Sequence, residues 1–218
     1  LIRFGMESGS EKILSFLKKD TITVEQCYEA VRLCKRHGLR AFGSFMIGSP
    51  EETLDDVMGT VDLIETSGLE GAGIFAMVPY PGTDLYTVCK KEGFLREDAN
   101  WGSFLVERFR GDNIPRFVVR NRHFSETQLL HIARYVDNHV VSRLNYGLPP
   151  NRTVHRDHLE RIVAGEYHLS SPDLSVAVRH RMAFARLVVS SIAGQKHPVR
   201  FVYSKLVSKL AQTRMVRG

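Results

Sequence analysis

A chain of 218 residues, 43% hydrophobic and 25% charged, fits one large domain or a domain with an appendage, and excludes a disordered or fibrous polymer. Its three cysteines (Cys27, Cys34, Cys89) are too few for a disulfide framework and too scattered for a structural zinc site, which points to a reduced, cytoplasmic protein. The net charge of +6 hides an asymmetry: residues 1–100 carry 11 Lys/Arg against 16 Asp/Glu, while residues 101–218 carry 19 against 8. A boundary is therefore expected near Trp101, dividing the chain into 1–100 and 101–218. No apolar run approaches the ~18–20 residues that span a bilayer, and no signal peptide opens the chain. Leu1-Ile2-Arg3-Phe4 reads as if cut within a strand, so a fragment of a longer protein is expected.

Leu1–Met6 predicts a short buried strand ended by Glu7-Ser8-Gly9-Ser10, and Ser10 caps a helix carried by Ile13, Leu14 and Leu17. Thr23-Val-Glu-Gln26 is a capping-box pattern, followed by Val24, Cys27, Tyr28, Val31 and Cys34 at helical spacing until Gly38. Arg40–Ile47 predicts a second strand. Ser49 is expected to cap the next helix, with Pro50 in its first position, Glu52 completing a capping box, and Leu54, Val57, Met58, Val61 and Ile64 on its apolar face. Gly71–Val78 predicts a third strand, Pro79–Gly82 a loop, and Thr83–Glu92 a short helix closed by Gly93. This alternation of apolar strands and helices predicts an α/β fold with a parallel sheet. Three such units cannot close a barrel alone.

Beyond Trp101 the pattern becomes mainly helical. Phe104–Val119 holds short extended pieces, and Ser125-Glu-Thr-Gln128 opens a long helix on Leu129, Ile132, Ala133, Val136 and Val140 that ends at Gly147. Leu148-Pro-Pro-Asn151 reads as a linker. Further helices are expected from Pro172 to Gly194 and from Pro198 onward, the last one strongly basic.

Functional groups of parallel α/β sheets gather where strands end and helices begin. Those ends read Glu7-Ser8-Gly9-Ser10, Gly48-Ser49-Pro50-Glu51 and Pro79-Tyr80-Pro81-Gly82-Thr83. Gly9, Gly48 and Gly82 would let backbone approach a ligand, and each following helix N-terminus favours anionic atoms. Glu7 and Ser8 can bond hydroxyl or amino groups, and Lys19 can answer a carboxylate. The bland alternative is three well-built turns.

These motifs, with Glu11-Lys12-Ile13-Leu14 after the first and Phe45-Met46-Ile47 before the second, resemble the second half of a radical S-adenosylmethionine core. The nearest likeness is to the group whose members often carry a cobalamin-binding domain, and it covers about residues 1–93. The resemblance implies three βα units of a partial (β/α) barrel, followed by a mostly helical C-terminal region. It implies that Glu7 and Ser8 lie beside the ribose or methionine end of S-adenosylmethionine, that Lys19 faces its carboxylate, and that Met46, Ile47, Gly48 and Val78 flank its adenine. The family usually has glycine where Glu51 stands. Its [4Fe-4S] cluster is bound through Cys-x3-Cys-x2-Cys, a pattern this chain lacks, so the cluster is expected in a missing N-terminal half. With that half, the enzyme would reductively cleave S-adenosylmethionine and begin radical chemistry on an unidentified small-molecule or lipid-like substrate. Cobalamin upstream would turn the outcome toward methyl transfer or rearrangement. The competing reading is a non-catalytic α/β domain that binds a nucleotide-like ligand or a protein.

Cys27, Cys34 and Cys89 are expected to pack in the core. His155 and His158, three apart, read as an exposed polar pair rather than metal ligands, and His131 and His139 as surface or interface residues on one helix. Tyr80 is the candidate catalytic side chain, above the cofactor or else packed beneath its loop. In the tail, Lys196, Arg200, Lys205 and Lys209 oppose Val199, Phe201, Val202 and Leu206. Such a helix can pack on its own domain or make peripheral contact with an anionic membrane. Its sparse aromatics disfavour nucleic acid.

Overall fold

The computed structural model describes residues 1–104, 116–145, 147, 150 and 152–166, all within one compact unit, Leu1–Asp173. The helices expected beyond Pro172, including the basic tail, lie outside the described residues. Three strands, β1 (Ile2–Glu7), β2 (Ala41–Ile47) and β3 (Gly71–Ala76), form a parallel sheet in the order β1-β2-β3. The α/β class with a parallel sheet agrees with the sequence reading. Between the strands run α1 (Glu11–Lys18), α2 (Val24–Arg36) and α3 (Leu54–Thr66), and α4 (Asp84–Lys91) follows β3.

Local signals set most boundaries. Ser10 caps α1 by accepting from the Ile13 amide, and the Thr23–Gln26 capping box closes reciprocally on α2. Gly38 follows α2 at φ +66° and Gly93 follows α4 at φ +73°, both left-handed positions that end helices without Cβ strain.

One expected boundary is corrected. The third helix starts four residues later, on the Thr53–Asp56 capping box rather than on Ser49–Glu52. The Glu52 carboxylate instead turns back to the Gly48 amide at 2.6 Å, and the Ser49 carbonyl accepts from the Glu52 amide and from the Asn121 side chain. Those bonds withdraw the groups that a helix beginning at Pro50 would need.

Strand β2 alternates in burial. Ala41, Phe45 and Ile47 enter the main core, while Phe42, Ser44 and Met46 on the opposite face are half-buried. On the core face, Ala72, Ile74 and Ala76 of β3 meet Val57, Val61 and Ile64 of α3 and Ile132, Val136 and Val140 of the long helix. Each such side chain contributes ~1.5–3 kcal/mol on full burial. On the other face the Arg3 guanidinium lies 4.6 Å from the centre of the Phe42 ring.

The long helix runs as α5 (Glu126–Tyr135), a π segment (Val136–Val141) and α6 (Ser142–Asn145). Its Ser125–Gln128 capping box forms as expected, but the π segment was not legible in the sequence. Helix α7 (Arg152–Val163), also unforeseen, contacts α3 and α5. Residues 116–120 return to the sheet side, where Val119 bridges Leu95 in antiparallel fashion. A second, smaller cluster gathers Met77, Val78, Cys89, Phe94, Val118 and Val119, with Met46, Phe16 and Leu17 against it.

Candidate functional site

The end of β1 is stitched to α3. Glu7 adopts φ +63°, and its carboxylate accepts from Lys18 Nζ at 2.9 Å. Ser8 is fully buried; its Oγ sits 3.2 Å from Thr60 Oγ1 and accepts from the Ser10 amide. The room beside Gly9 serves α3 rather than a ligand, since a Cβ there would stand 2.1 Å from the Gly59 carbonyl oxygen. Asp56 completes the seam by accepting from Ser10 Oγ at 2.6 Å and pairing with Lys12 Nζ at 2.5 Å. Burial pushes its carboxyl up, but the bonds from Lys12, Ser10 and Thr53 outweigh that and hold it below the usual range.

The end of β2 is closed by the chain itself. Gly48 has φ +100°, and a Cβ on it would meet the Phe117 ring at 2.6 Å. Ile47 is wholly in the core. Glu52 is completely buried, so desolvation drives its carboxyl up to about 8 despite the Gly48 and Ser49 amides, and it is predominantly neutral at pH 7. Its Oε1 has no hydrogen-bond partner. Glu51, standing where glycine was expected, is not in the left-handed region and pairs with Arg122 at 2.8 Å.

The end of β3 is open. Val78 lies two residues past the strand, and Tyr80 is 47% exposed rather than packed beneath its loop. Thr83 caps α4, and Asp84 in its first turn pairs with Lys19, the left-handed C-cap of α1. The bond from Lys19 holds the Asp84 carboxyl low. Between α1 and α4 lies a cavity of about 560 Å³. Phe16, Leu17, Val78, Leu85 and Val88 give it an apolar wall, and Lys18, Lys19, Tyr80, Thr83 and Asp84 supply polar groups. Such a mixture suits an amphipathic ligand with an anionic end.

The structure therefore brings Lys19, Val78 and Tyr80 to one cavity. Met46 reaches the same cluster as Val78, and Glu7 approaches through its partner Lys18, which lines the cavity. Ser8, Ile47 and Gly48 are turned into the protein. Sequence reasoning missed Lys18, Thr83 and Asp84, although a Thr-Asp pair opening a helix after the third strand end was a usable signal. It also missed Thr60, Phe117 and Asn121, which touch the strand ends from 50 to 70 residues away and left no local signature.

The described residues do not fit an iron–sulfur cluster. All three cysteines are buried and fall in two separate clusters, and burial raises the thiols of Cys27 and Cys89, the latter to about 11, away from the ligating thiolate. No group of three metal-ligating side chains is present among the described residues. His155, expected to be exposed, is buried: Nδ1 lies 3.0 Å from Tyr135 Oη and Nε2 lies 3.0 Å from Glu65 Oε1. His139 and His158 stack on the two-partnered Tyr135 ring. This is a structural knot joining α3, α5 and α7. No helix among the described residues is long and apolar enough to cross a membrane.

Over 133 residues the chain is 33% identical to an uncharacterized methyltransferase of Pyrococcus horikoshii, covering 61% of this chain and 27% of that protein. Its relatives are methyl- and methylthiotransferases. It is 27% identical over 100 residues to the cytidylyl-2-hydroxyethylphosphonate methyltransferase of Streptomyces wedmorensis, covering 43% of this chain and 19% of the relative. It is 38% identical over 82 residues to a putative methylthiotransferase of Methanocaldococcus jannaschii, covering 38% and 18%. These relatives fit the resemblance to radical S-adenosylmethionine enzymes at the level of the superfamily. The chain spans between 18% and 27% of their lengths. No family model matches it.

Proposed function

We propose that this chain is the later part of a radical S-adenosylmethionine core, three βα units of a partial (β/α) barrel, in a methyl- or methylthiotransferase-like enzyme. The observation that carries this reading is the cavity at the end of β3. Three residues singled out from motif order alone, Lys19, Val78 and Tyr80, share it, and the relatives sharing sequence with the chain are transferases of these two kinds.

In this reading the Lys19 ammonium leaves Asp84 to meet the cofactor's carboxylate, a charge exchange that costs little because both groups are solvent-exposed. Val78 and Met46 offer apolar surface to adenine. Glu7, held by Lys18, accepts from ribose hydroxyls or the amino group. Ser8 acts at one remove, fixing the β1–α1 turn through Thr60. Tyr80 presents a phenol to whatever lies above the cofactor. S-adenosylmethionine supplies the methyl group or the radical that starts the chemistry. The cluster and any cobalamin would be held by other parts of the full-length protein, because the cysteines here cannot ligate one.

Equilibrium dialysis of S-adenosylmethionine against the full-length parent protein tests the assignment. Lys19→Ala is expected to weaken binding on the order of tenfold, the loss of one charge-assisted contact. Unchanged affinity in that variant would remove Lys19 from the site. An upstream reading frame lacking Cys-x3-Cys-x2-Cys would leave a binding domain without radical chemistry.

A further inference from the structure

The turn after β2 takes its conformation from a segment some 70 residues later. Asn121 Nδ2 donates to the Ser49 carbonyl at 2.6 Å and to the Glu52 carbonyl at 2.9 Å. Its Oδ1 accepts from the amides of His123 and Phe124, both at 2.7 Å, so the side chain is fixed before it reaches the turn. The Arg122 amide donates to the Pro50 carbonyl at 2.8 Å, and the Arg122 guanidinium pairs with Glu51. Phe117 fills the space that a side chain at position 48 would occupy. Three consecutive-turn carbonyls, those of Ser49, Pro50 and Glu52, thus find donors in residues 121–122, and none is left to continue α3 backwards. With α3 held off, the Glu52 carboxyl is free to fold onto the Gly48 amide and fix the last peptide of the strand.

We infer that Asn121 is a positioning residue: residues 117–122 form a clasp that sets the Met46–Gly48 strand end in the geometry the cofactor meets. This rests on the proposed function, since it assumes that S-adenosylmethionine lies against that strand end. The clasp comes from the positively charged part of the chain, so that region contributes to the site although it presents no side chain to the cavity among the residues described. A buried amide that satisfies two carbonyls at once cannot be replaced by a carboxylate, which would set like partial charges against each other.

The test uses the full-length parent protein, with Asn121→Asp and Asn121→Ala read by S-adenosylmethionine affinity, melting temperature and turnover. Asn121→Asp keeps the acceptor side of the residue and reverses its donor side. It is expected to weaken cofactor binding on the order of tenfold, the effect of a displaced first contact, while the fold persists. A folded Asn121→Asp protein with wild-type affinity overturns the inference, whatever its melting temperature. Should neither variant fold, the wild-type protein decides: the Asn121 side-chain amide resonances are expected to shift when S-adenosylmethionine is added, and their indifference overturns the clasp's role. A wild-type protein that binds no S-adenosylmethionine instead sinks the cofactor reading. Slow exchange of the Asn121 and Gly48 amide protons would then still show the clasp as a purely structural device.

Discussion

The turns after β2 and β3 follow equivalent strand ends and are built in opposite ways. The first has a glycine pressed against an aromatic ring, a buried neutral carboxyl and carbonyls held by a remote asparagine. The second has a glycine with nothing within 4 Å, an exposed tyrosine and an exposed ion pair beside a cavity. Neighbouring strands of one sheet thus separate two tasks. One turn is fixed as scaffold, and the other keeps its polar groups available to a ligand.

The contrast is broken most forcefully at the two glycines. Gly48→Ala combines a left-handed φ with a clash against Phe117 and is expected to cost roughly 3–4 kcal/mol in urea unfolding. Gly82→Ala has the strained φ of +88° but open space, and about 1 kcal/mol is expected. Equal losses would mean that Phe117 yields freely and that the first turn is not closed.

Glu52→Gln sharpens the contrast through pH. A carboxyl that titrates near 8 when folded and near 4.5 otherwise keeps its proton in the native state after the unfolded chain has released its own. Stability therefore falls as pH rises from about 4.5 to about 8. The glutamine variant should lack that slope and exceed the wild type by on the order of 3 kcal/mol at pH 8.5, with no advantage at pH 4. Melting curves at the two pH values decide it.

Asp56 shows the reverse sign. Its carboxyl is held low, so its contribution is present above the unfolded value of 3.8 and is lost on acidification below it. Asp56→Ala is expected to cost about 1 kcal/mol at neutral pH through loss of the capping box, and less at pH 3, measured by chemical denaturation. The smallest effect on stability belongs to the open turn: Tyr80→Phe should lie within about 0.5 kcal/mol of wild type. Its consequence should appear in turnover of the full-length protein, and an unaltered turnover removes the phenol from the chemistry.

Much of the fold was legible because it is written locally. Capping boxes at Thr23 and Ser125, helix-ending Gly38 and Gly93, and apolar strand cores needed no knowledge of tertiary partners. The start of α3 was ambiguous because Ser49-x-x-Glu52 and Thr53-x-x-Asp56 are both capping boxes within five residues. Asn121 and Arg122 decide between them, and nothing near Ser49 announces those residues. The π segment depends on Ser142 Oγ donating to the Asp137 carbonyl and on packing against β3, which leave no compositional trace. At the site, Lys19 and Val78 were legible through motif order. The Asp84 partner and the burial of Ser8 and Gly48 were not, because each depends on a contact between segments far apart in the chain.

The π segment delivers Asn145 to the rim of β3, where its Oδ1 accepts from the Ala72 amide at 3.1 Å. A side chain thus occupies a backbone donor that another strand would use. Along β1, no strand pairs with the outer side among the described residues. The sheet is consequently one-ended. Growth by a further strand is obstructed beside β3 and open beside Ile2–Glu7, so an added strand, whether from this polypeptide or another, has one direction of approach.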